Sequence, residues 1–138
     1  MSSAIIPCLG YCDAPRMITW LCDTFGFERH AVYEDGKGGI HHAELTFGTG
    51  MIMFGSEGSG SEEFGRLQKT PAVLGGTTQS PYVVVPDADE IYRRAKQNGA
   101  EIVIEIKDES YGGRGFSCRD PEGHLWNIGT YDPWKVKC

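Results

Sequence analysis

The sequence predicts an α+β fold in which a unit of strand, helix and three further strands occurs twice. Two helical patterns of apolar residues, opened by Asp13 and by Asp87, lie 74 positions apart. Glycine is also abundant, at 19 of 138 residues, against a usual frequency of roughly 7%. Many glycines among short apolar runs favour short strands joined by tight turns.

The first half supplies one copy of the unit. An apolar run at residues 4–9 predicts a strand. The helix that follows has Asp13 as its cap and Gly26 at its end. Strands are then predicted at residues 28–34, 42–47 and 51–54, the last two joined by a turn at residues 48–50.

The second half repeats this order. An apolar run at residues 82–85 precedes a helix that starts after Asp87 and stops at Gly99. Its first turn is acidic and its later turns are basic, as the helix dipole favours. Strands are predicted at residues 101–106, 116–119 and 125–128, and Gly123 in the last turn lies 73 positions after Gly50.

These patterns divide a single domain, residues 1–138, into four parts. Module one spans residues 4–55 and module two spans residues 80–132, with a tail at residues 133–138. The linker at residues 56–79 is rich in Gly, Ser and Glu and includes one expected short helix near residues 62–67.

Composition limits the classes of function. The chain has 13 basic and 19 acidic residues, a formal charge of −6, and 40% apolar residues. The apolar share can bury a core, whereas the acidic balance argues against nucleic-acid binding, which needs a basic face. No run of about 18 apolar residues predicts a membrane span. The first residues lack a secretory signal pattern and the cysteine count of five is odd, so we expect a cytoplasmic protein with reduced thiols.

Three stretches resemble the vicinal oxygen chelate superfamily, which includes glyoxalase I, extradiol dioxygenases and bleomycin resistance proteins. They read DAPRMITWLCDTFGFE, VVVPDADEIYRRAKQNGAEI and GRGFSCRDPEGHLWNIGTYDPW. The resemblance implies paired βαβββ modules whose mixed sheets curl around a cavity, with the helices outside, and it implies a homodimer. It does not choose between an enzyme and a binding protein, since the superfamily contains both.

The resemblance also identifies where a metal ion would be held. Metal-dependent members take ligands from the first and last strands of each module, and these positions map to Ile6, Phe54, Pro81 and Asn127. Divalent ions at such sites need imidazole nitrogen or carboxylate oxygen. Of the four residues, Asn127 alone is a ligand, and a weak one, and a shift of one position does not improve the set. We therefore predict no metal and no cofactor.

A polar pair lies in the third predicted strand of module one. His42 and Glu44 alternate with the apolar Ala43 and Leu45, so the pair faces either a pocket or solvent. Two ligands on one strand do not form a metal site. If the protein is an enzyme, Glu44 is the candidate general base.

A second candidate contact region is the glycine-rich loop at residues 110–115. Tyr111 offers an aromatic face and Arg114 a cation. The alternative is a simple turn in which Arg114 pairs with a neighbouring acid. The expected ligand-binding residues are therefore Ile6, His42, Glu44, Ile52, Phe54, Tyr111, Arg114 and Asn127.

A largely apolar wall with few polar anchors suits a flat amphipathic or aromatic small molecule. The predicted function is thus metal-free binding of such a molecule, similar to that of drug-sequestering resistance proteins, and the acidic surface would attract a cationic drug. The alternatives are a glyoxalase-like lyase or isomerase with an atypical site, and a structural or interaction protein with a closed cavity.

Overall fold

The computed structural model describes residues 2–135. The chain divides between Gly75 and Gly76 into two compact units, called unit 1 and unit 2. Each unit contains a four-stranded mixed sheet and one long helix, in the chain order strand, helix, strand, strand, strand. The predicted α+β class with two βαβββ copies is confirmed.

Unit 1 has seven elements. They are β1 (Cys8–Tyr11), α1 (Ala14–Phe25), β2 (Glu28–Glu34), β3 (Ile40–Phe47), β4 (Gly50–Ser56), α2 (Glu62–Leu67) and α3 (Pro71–Leu74). The sheet order is β1-β4-β3-β2, with β1 parallel to β4 and the other neighbours antiparallel. The short helix expected in the linker is α2, whereas α3 was not predicted.

Unit 2 has five elements. They are β5 (Tyr82–Val84), α4 (Ala88–Gln97), β6 (Glu101–Asp108), β7 (Arg114–Arg119) and β8 (Leu125–Gly129). The order β5-β8-β7-β6 repeats that of the first sheet, again with the first strand parallel to the last. Of the expected tail, residues 136–138 lie outside the described part of the chain.

Capping fixes both long helices where the sequence predicts them. The Asp13 side chain accepts a hydrogen bond of 3.3 Å from the Arg16 backbone N–H, and Asp87 caps α4 in the same way through Glu90 at 3.2 Å. Gly26 ends α1 with a φ of 94°, in the left-handed region that glycine adopts without strain. The first strand is the poorest match, because the ladder with β4 begins at Cys8 rather than at residue 4.

Each sheet has one buried face against its helix. In unit 1 this face is formed by Leu9, Ala43, Leu45, Ile52 and Phe54, and in unit 2 by Val83, Phe116, Cys118, Trp126 and Ile128. The opposite face, here called the open face, carries the alternate residues of the same strands. Any small-molecule site on these sheets has to use the open face.

The pairing registers align the two units residue by residue. Glu44 pairs with Met53 across β3 and β4, and Ser117 pairs with Asn127 across β7 and β8. Glu44 and Ser117 are 73 positions apart, whereas Met53 and Asn127 are 74 apart. The connection between β7 and β8 is one residue longer, so the equivalent of Asn127 is Met53 and not Phe54.

Candidate functional site

The open face of unit 1 is built from soft, apolar and acidic side chains. Met53 lies in register between Cys8 on β1 and Glu44 on β3. Cys8 is exposed and Met53 is half-buried. The Glu44 side chain keeps 26% of its surface accessible, so the carboxylate reaches solvent from within the sheet face.

Two histidines flank the Glu44 carboxylate. His42 Nε2 lies 2.9 Å from Glu44 Oε2, and His30 Nε2 lies 4.0 Å from Glu44 Oε1. Tyr33 on β2 stacks against the His42 ring, with a centroid separation of 6.2 Å and an interplanar angle of 25°. This arrangement combines a carboxylate, two titratable imidazoles and a flat aromatic surface.

A cavity of about 660 Å³ adjoins this face. Cys8, Gly10, Met53 and Gly55 contribute its floor, and residues 56–70 contribute its second wall. Hydrogen bonds hold that wall in place: Gln68 Nε2 donates to the Cys8 carbonyl at 2.9 Å, and His41 Nδ1 lies 3.0 Å from the Ser59 carbonyl oxygen. The segment expected to be a linker therefore shapes a pocket of unit 1.

At the centre of the open face of unit 2, polar side chains form hydrogen bonds with one another. Ser117 Oγ donates to Asn127 Oδ1 at 2.7 Å, and Asn127 Nδ2 donates to Ser80 Oγ at 2.8 Å. The same Nδ2 also approaches the Pro81 carbonyl at 3.3 Å. Both ends of the Asn127 amide are engaged, so this residue joins the sheet centre to the segment that leads into β5.

A cavity of about 360 Å³ lies beside this centre and carries three tyrosines. Tyr82 donates its hydroxyl proton to the Tyr131 carbonyl at 2.8 Å, and Tyr111 packs edge-on against the Tyr131 ring at 5.1 Å. Burial raises the pKa of Tyr82, so its hydroxyl stays protonated at neutral pH. The site can offer aromatic faces and a hydroxyl to a ligand.

Arg114 borders this cavity with its guanidinium already engaged. Its Nε lies 2.9 Å from Asp89 Oδ2, and its Nη1 lies 3.4 Å from Asp108 Oδ1. Its backbone N–H donates to Thr130 Oγ1 at 2.9 Å. Arg114 thus pairs with neighbouring acids, and both Arg114 and Tyr111 of the same loop line the cavity.

Of the two expected pocket residues on β4, Phe54 borders the cavity of about 660 Å³, whereas Ile52 does not. Ile52 and Phe54 are each 4% exposed and belong to the helix-covered face, where Phe54 packs edge-on against Tyr11 at 4.9 Å. Met51 and Met53 occupy the open face instead. The physical reason is strand alternation, since a shift of one residue exchanges every side chain between the two faces.

The remaining expected residues fall into two groups. His42 and Glu44 lie together on the open face of unit 1, and Tyr111, Arg114 and Asn127 border the cavity of unit 2. Ile6 is half-buried and precedes β1. Sequence analysis missed Met53, Tyr82 and His30; the positions of Met53 and Tyr82 follow from strand register, and His30 had no local signal.

Strand register also permits a sharper test of the family's metal positions. Pro7 accepts a hydrogen bond from the backbone N–H of Met53, and Pro81 accepts one from that of Asn127, so the two units correspond there. Thioether, pyrrolidine and engaged amide side chains do not match the imidazole and carboxylate donors that a divalent ion requires. Within residues 2–135, no group of three or more His, Cys, Asp or Glu residues is arranged to hold a metal ion. The residues present do not fit the family's metal.

No helix within residues 2–135 has the length and apolar character needed to cross a bilayer.

Comparison with solved structures places the fold among known proteins. TioX from Micromonospora sp. ML1 is 33% identical, with a TM-score of 0.70 and coverage of 93% of this chain and 98% of that chain. The fosfomycin resistance protein FosX from Mesorhizobium loti has a TM-score of 0.67 at 12% identity, covering 96% of this chain and 95% of its own. The FosX likeness concerns the fold alone.

Sequence relatives occur in mycobacteria. An uncharacterized protein of Mycobacterium bovis is 33% identical over 95 residues, which cover 69% of this chain and 60% of that protein. A Mycobacterium tuberculosis protein, also described as uncharacterized, matches equally over 54% of its length. This chain thus spans less than two thirds of those relatives.

A family model described as the Glyoxalase/Bleomycin resistance protein/Dioxygenase superfamily matches residues 7–128. That range includes both long helices and every strand except the last residue of β8. Together with the shared fold, this match shows that the chain belongs to the Glyoxalase/Bleomycin resistance protein/Dioxygenase superfamily.

Proposed function

We propose that the protein binds a small amphipathic or aromatic molecule without a metal ion, in the manner of a drug-sequestering resistance protein. Membership of a superfamily that includes bleomycin resistance proteins supports this proposal. The cavities of about 660 and 360 Å³ fall within the roughly 300–1,000 Å³ that is common for small-molecule sites.

One observation carries the proposal. The equivalent positions at the centres of the two open faces hold Met53 and Asn127, a thioether and an amide engaged by Ser117 and Ser80. Such groups suit packing against a ring or fixing a backbone, and they lack the donors of a divalent-ion site. Binding by apolar contact with a few polar anchors is the chemistry that this arrangement supports.

The direct test joins metal analysis with ligand binding. We expect the purified protein to contain far less than one metal ion per chain by mass spectrometry. Proflavine, a flat cationic dye, and bleomycin should bind equally well in EDTA and with added Ni²⁺ or Zn²⁺. One tightly held ion per chain, or binding that requires added metal, would overturn the proposal.

Variants in unit 1 show whether the open face is the site. Replacing Met53 by Ala removes apolar contact area, and we expect proflavine to bind about fivefold more weakly, on the order of 1 kcal/mol. Ile5→Ala is the matched control, because Ile5 is 84% exposed and does not line the cavity. Equal affinities for the two variants would place the binding site elsewhere.

A lyase or isomerase of the glyoxalase type is the second candidate, favoured by the contact between Glu44 and His42. A carboxylate hydrogen-bonded to an imidazole can accept a proton from a carbon acid. The test is isomerisation of the hemithioacetal of methylglyoxal and glutathione, with and without added Ni²⁺. A rate above background that disappears in Glu44→Gln would support the enzyme over the pure binding protein.

The family resemblance also leads us to propose a homodimer. Multi-angle light scattering over a range of concentrations should give twice the chain mass of 15.2 kDa. A monomer at every concentration that still binds proflavine would remove the dimer from the proposal and leave ligand binding intact.

A further inference from the structure

Glu44 occupies a position whose counterpart in unit 2 makes a cross-strand hydrogen bond, whereas Glu44 bonds only along its own strand, to His42. Its counterpart in unit 2, Ser117, donates a hydrogen bond to Asn127 directly across the strand pair. Glu44 instead faces Met53, whose thioether has no proton to donate. A carboxylate on the open face of unit 1 therefore lacks the cross-strand partner that its repeat provides.

The groups around Glu44 leave its negative charge without a permanent counter-ion. Within residues 2–135, no lysine or arginine lies within 4.0 Å of the carboxylate, and the groups next to it that can carry a positive charge are the imidazoles of His42 and His30. Arg29, next to His30 on β2, lies instead near Cys22 on the helix-covered side. An imidazole changes its charge between about pH 5 and 8, so the compensation of Glu44 depends on pH.

The charged side chains of the cavity wall already have hydrogen-bond or ion-pair partners. Glu62 pairs with Arg66 at 3.3 Å, Lys69 Nζ donates to the Gly65 carbonyl at 3.0 Å, and Glu57 accepts from Cys12 at 3.2 Å. His41 adds one further imidazole, held 3.0 Å from the Ser59 carbonyl oxygen. None of these groups neutralises Glu44 directly.

The rings beside Glu44 indicate the shape of a counter-ion that would fit this face. Tyr33 is 57% exposed and nearly parallel to the His42 ring, which makes a flat shelf next to the carboxylate. A cation over a tyrosine face gains about 0.5–1 kcal/mol at exposed sites. A cation that carries a flat ring would pair with the carboxylate and stack on the shelf at the same time.

We propose that Glu44 is the counter-ion for a flat organic cation lying along Tyr33 and His42, and that acid releases this ligand. The proposal rests on the proposed function and names the ligand class and the regulation of the unit 1 open face, where His42 belongs both to this shelf and to the lining of the cavity. With neutral imidazoles beside it, the carboxylate has no internal cation and takes the ligand. Acid converts an imidazole into a cation, and such cations beside Glu44 would neutralise it and repel the ligand.

The experiment measures Kd for proflavine by fluorescence at about pH 7.5 and about pH 5.5, using the intact protein. We expect at least tenfold weaker binding in acid. Glu44→Gln should weaken proflavine binding about tenfold at the higher pH. Glu34→Gln makes the same charge change at an exposed residue of β2 and should weaken binding less than twofold. A His30→Asn/His42→Asn double variant should keep its affinity in acid, so that the pH dependence largely disappears.

An anionic probe separates this inference from the proposed function. Anilinonaphthalene sulfonate should bind weakly at the higher pH and gain affinity in Glu44→Gln. If the anion binds as tightly as proflavine and Glu44→Gln matches Glu34→Gln, the cation site is overturned while small-molecule binding stands. If neither dye nor bleomycin binds, both proposals fail. Unchanged pH dependence in the double variant would overturn the histidine switch.

Discussion

Trp126 Nε1 donates a hydrogen bond of 3.0 Å to Asp120 Oδ2, and both side chains are buried in unit 2. The other carboxylate oxygen, Asp120 Oδ1, accepts from the backbone N–H groups of Glu122 and His124 at 2.9 and 3.1 Å. One carboxylate thus joins the turn after β7 to the indole beneath α4. This contact sets the register of β8, which positions Asn127.

Replacing Asp120 by Ala should lower the free energy of unfolding by about 3 kcal/mol, because one buried and two half-buried N–H donors lose their acceptor. Urea unfolding measures the change. Trp126→Phe keeps an aromatic ring and removes one donor, so we expect a smaller loss. The control is Asp108→Ala, a substitution at a side chain that is 87% exposed, which should shift stability by less than about 0.5 kcal/mol. Equal effects of Asp120→Ala and Asp108→Ala would contradict the role of the carboxylate.

Thiol reactivity should follow burial. Desolvation raises the pKa of Cys118 to about 12, and this side chain is fully buried. Since the thiolate is the reactive form, native protein at about pH 8 should be alkylated by iodoacetamide at the exposed Cys8 long before Cys118. Peptide mass spectrometry over time measures the alkylation of each cysteine. In the denatured control, Cys8 and Cys118 should be alkylated at similar rates. Comparable rates in the native protein would refute the placement of Cys118.

The stabilisation from the Asp89–Arg114 contact should be lost in acid. The hydrogen bond from Arg114 holds the pKa of Asp89 below its ordinary value. A depressed folded-state pKa means that the contact stabilises the folded protein above the pKa of an unfolded aspartate. That contribution is lost as the pH falls through the folded value. Carbon NMR of the Asp89 carboxyl should show the low titration, which returns to an ordinary value in Arg114→Gln. An equal pKa of the Asp89 carboxyl in the unchanged protein and in Arg114→Gln would contradict the Asp89–Arg114 contact.

Replacement by alanine should have different effects on stability at two of the glycines. A Cβ at Gly115 would lie 2.7 Å from the Ile128 carbonyl oxygen in the next strand, so Gly115→Ala should destabilise by about 1–3 kcal/mol. A Cβ at Gly65 in α2 meets nothing within 4 Å, so Gly65→Ala should be neutral or stabilise by up to about 1 kcal/mol. Thermal melts compare the pair. A stabilised Gly115→Ala would mean that β7 and β8 are further apart than described.

The elements were predictable because their signals are local. Asp13, Gly26 and Asp87 act within one turn of the chain, and the period of apolar residues reports the buried side of each helix. The family resemblance supplied the paired βαβββ modules and their mixed sheets, whereas the strand order was not predicted and is seen only in the structure. The start of β1 at Cys8 could not be read locally, since it depends on where β4 provides partners.

The candidate site was less predictable because it depends on register between strands. One additional residue between β7 and β8 makes Met53, and not Phe54, the equivalent of Asn127. Glu44 and His42 were found from alternation within a single strand. His30 joins them through an irregularity in the pairing of β2 with β3, which has no sequence signature.

The second wall of the unit 1 cavity comes from residues 56–70, outside the repeated βαβββ core. Changes in this segment alter the pocket without disturbing the helix-covered layer, whose residues come from β1, β3 and β4. Ligand preference in unit 1 is therefore open to engineering by grafting or resizing one surface segment. A library confined to residues 57–69 would search for new specificities while leaving every strand of the unit 1 sheet unchanged.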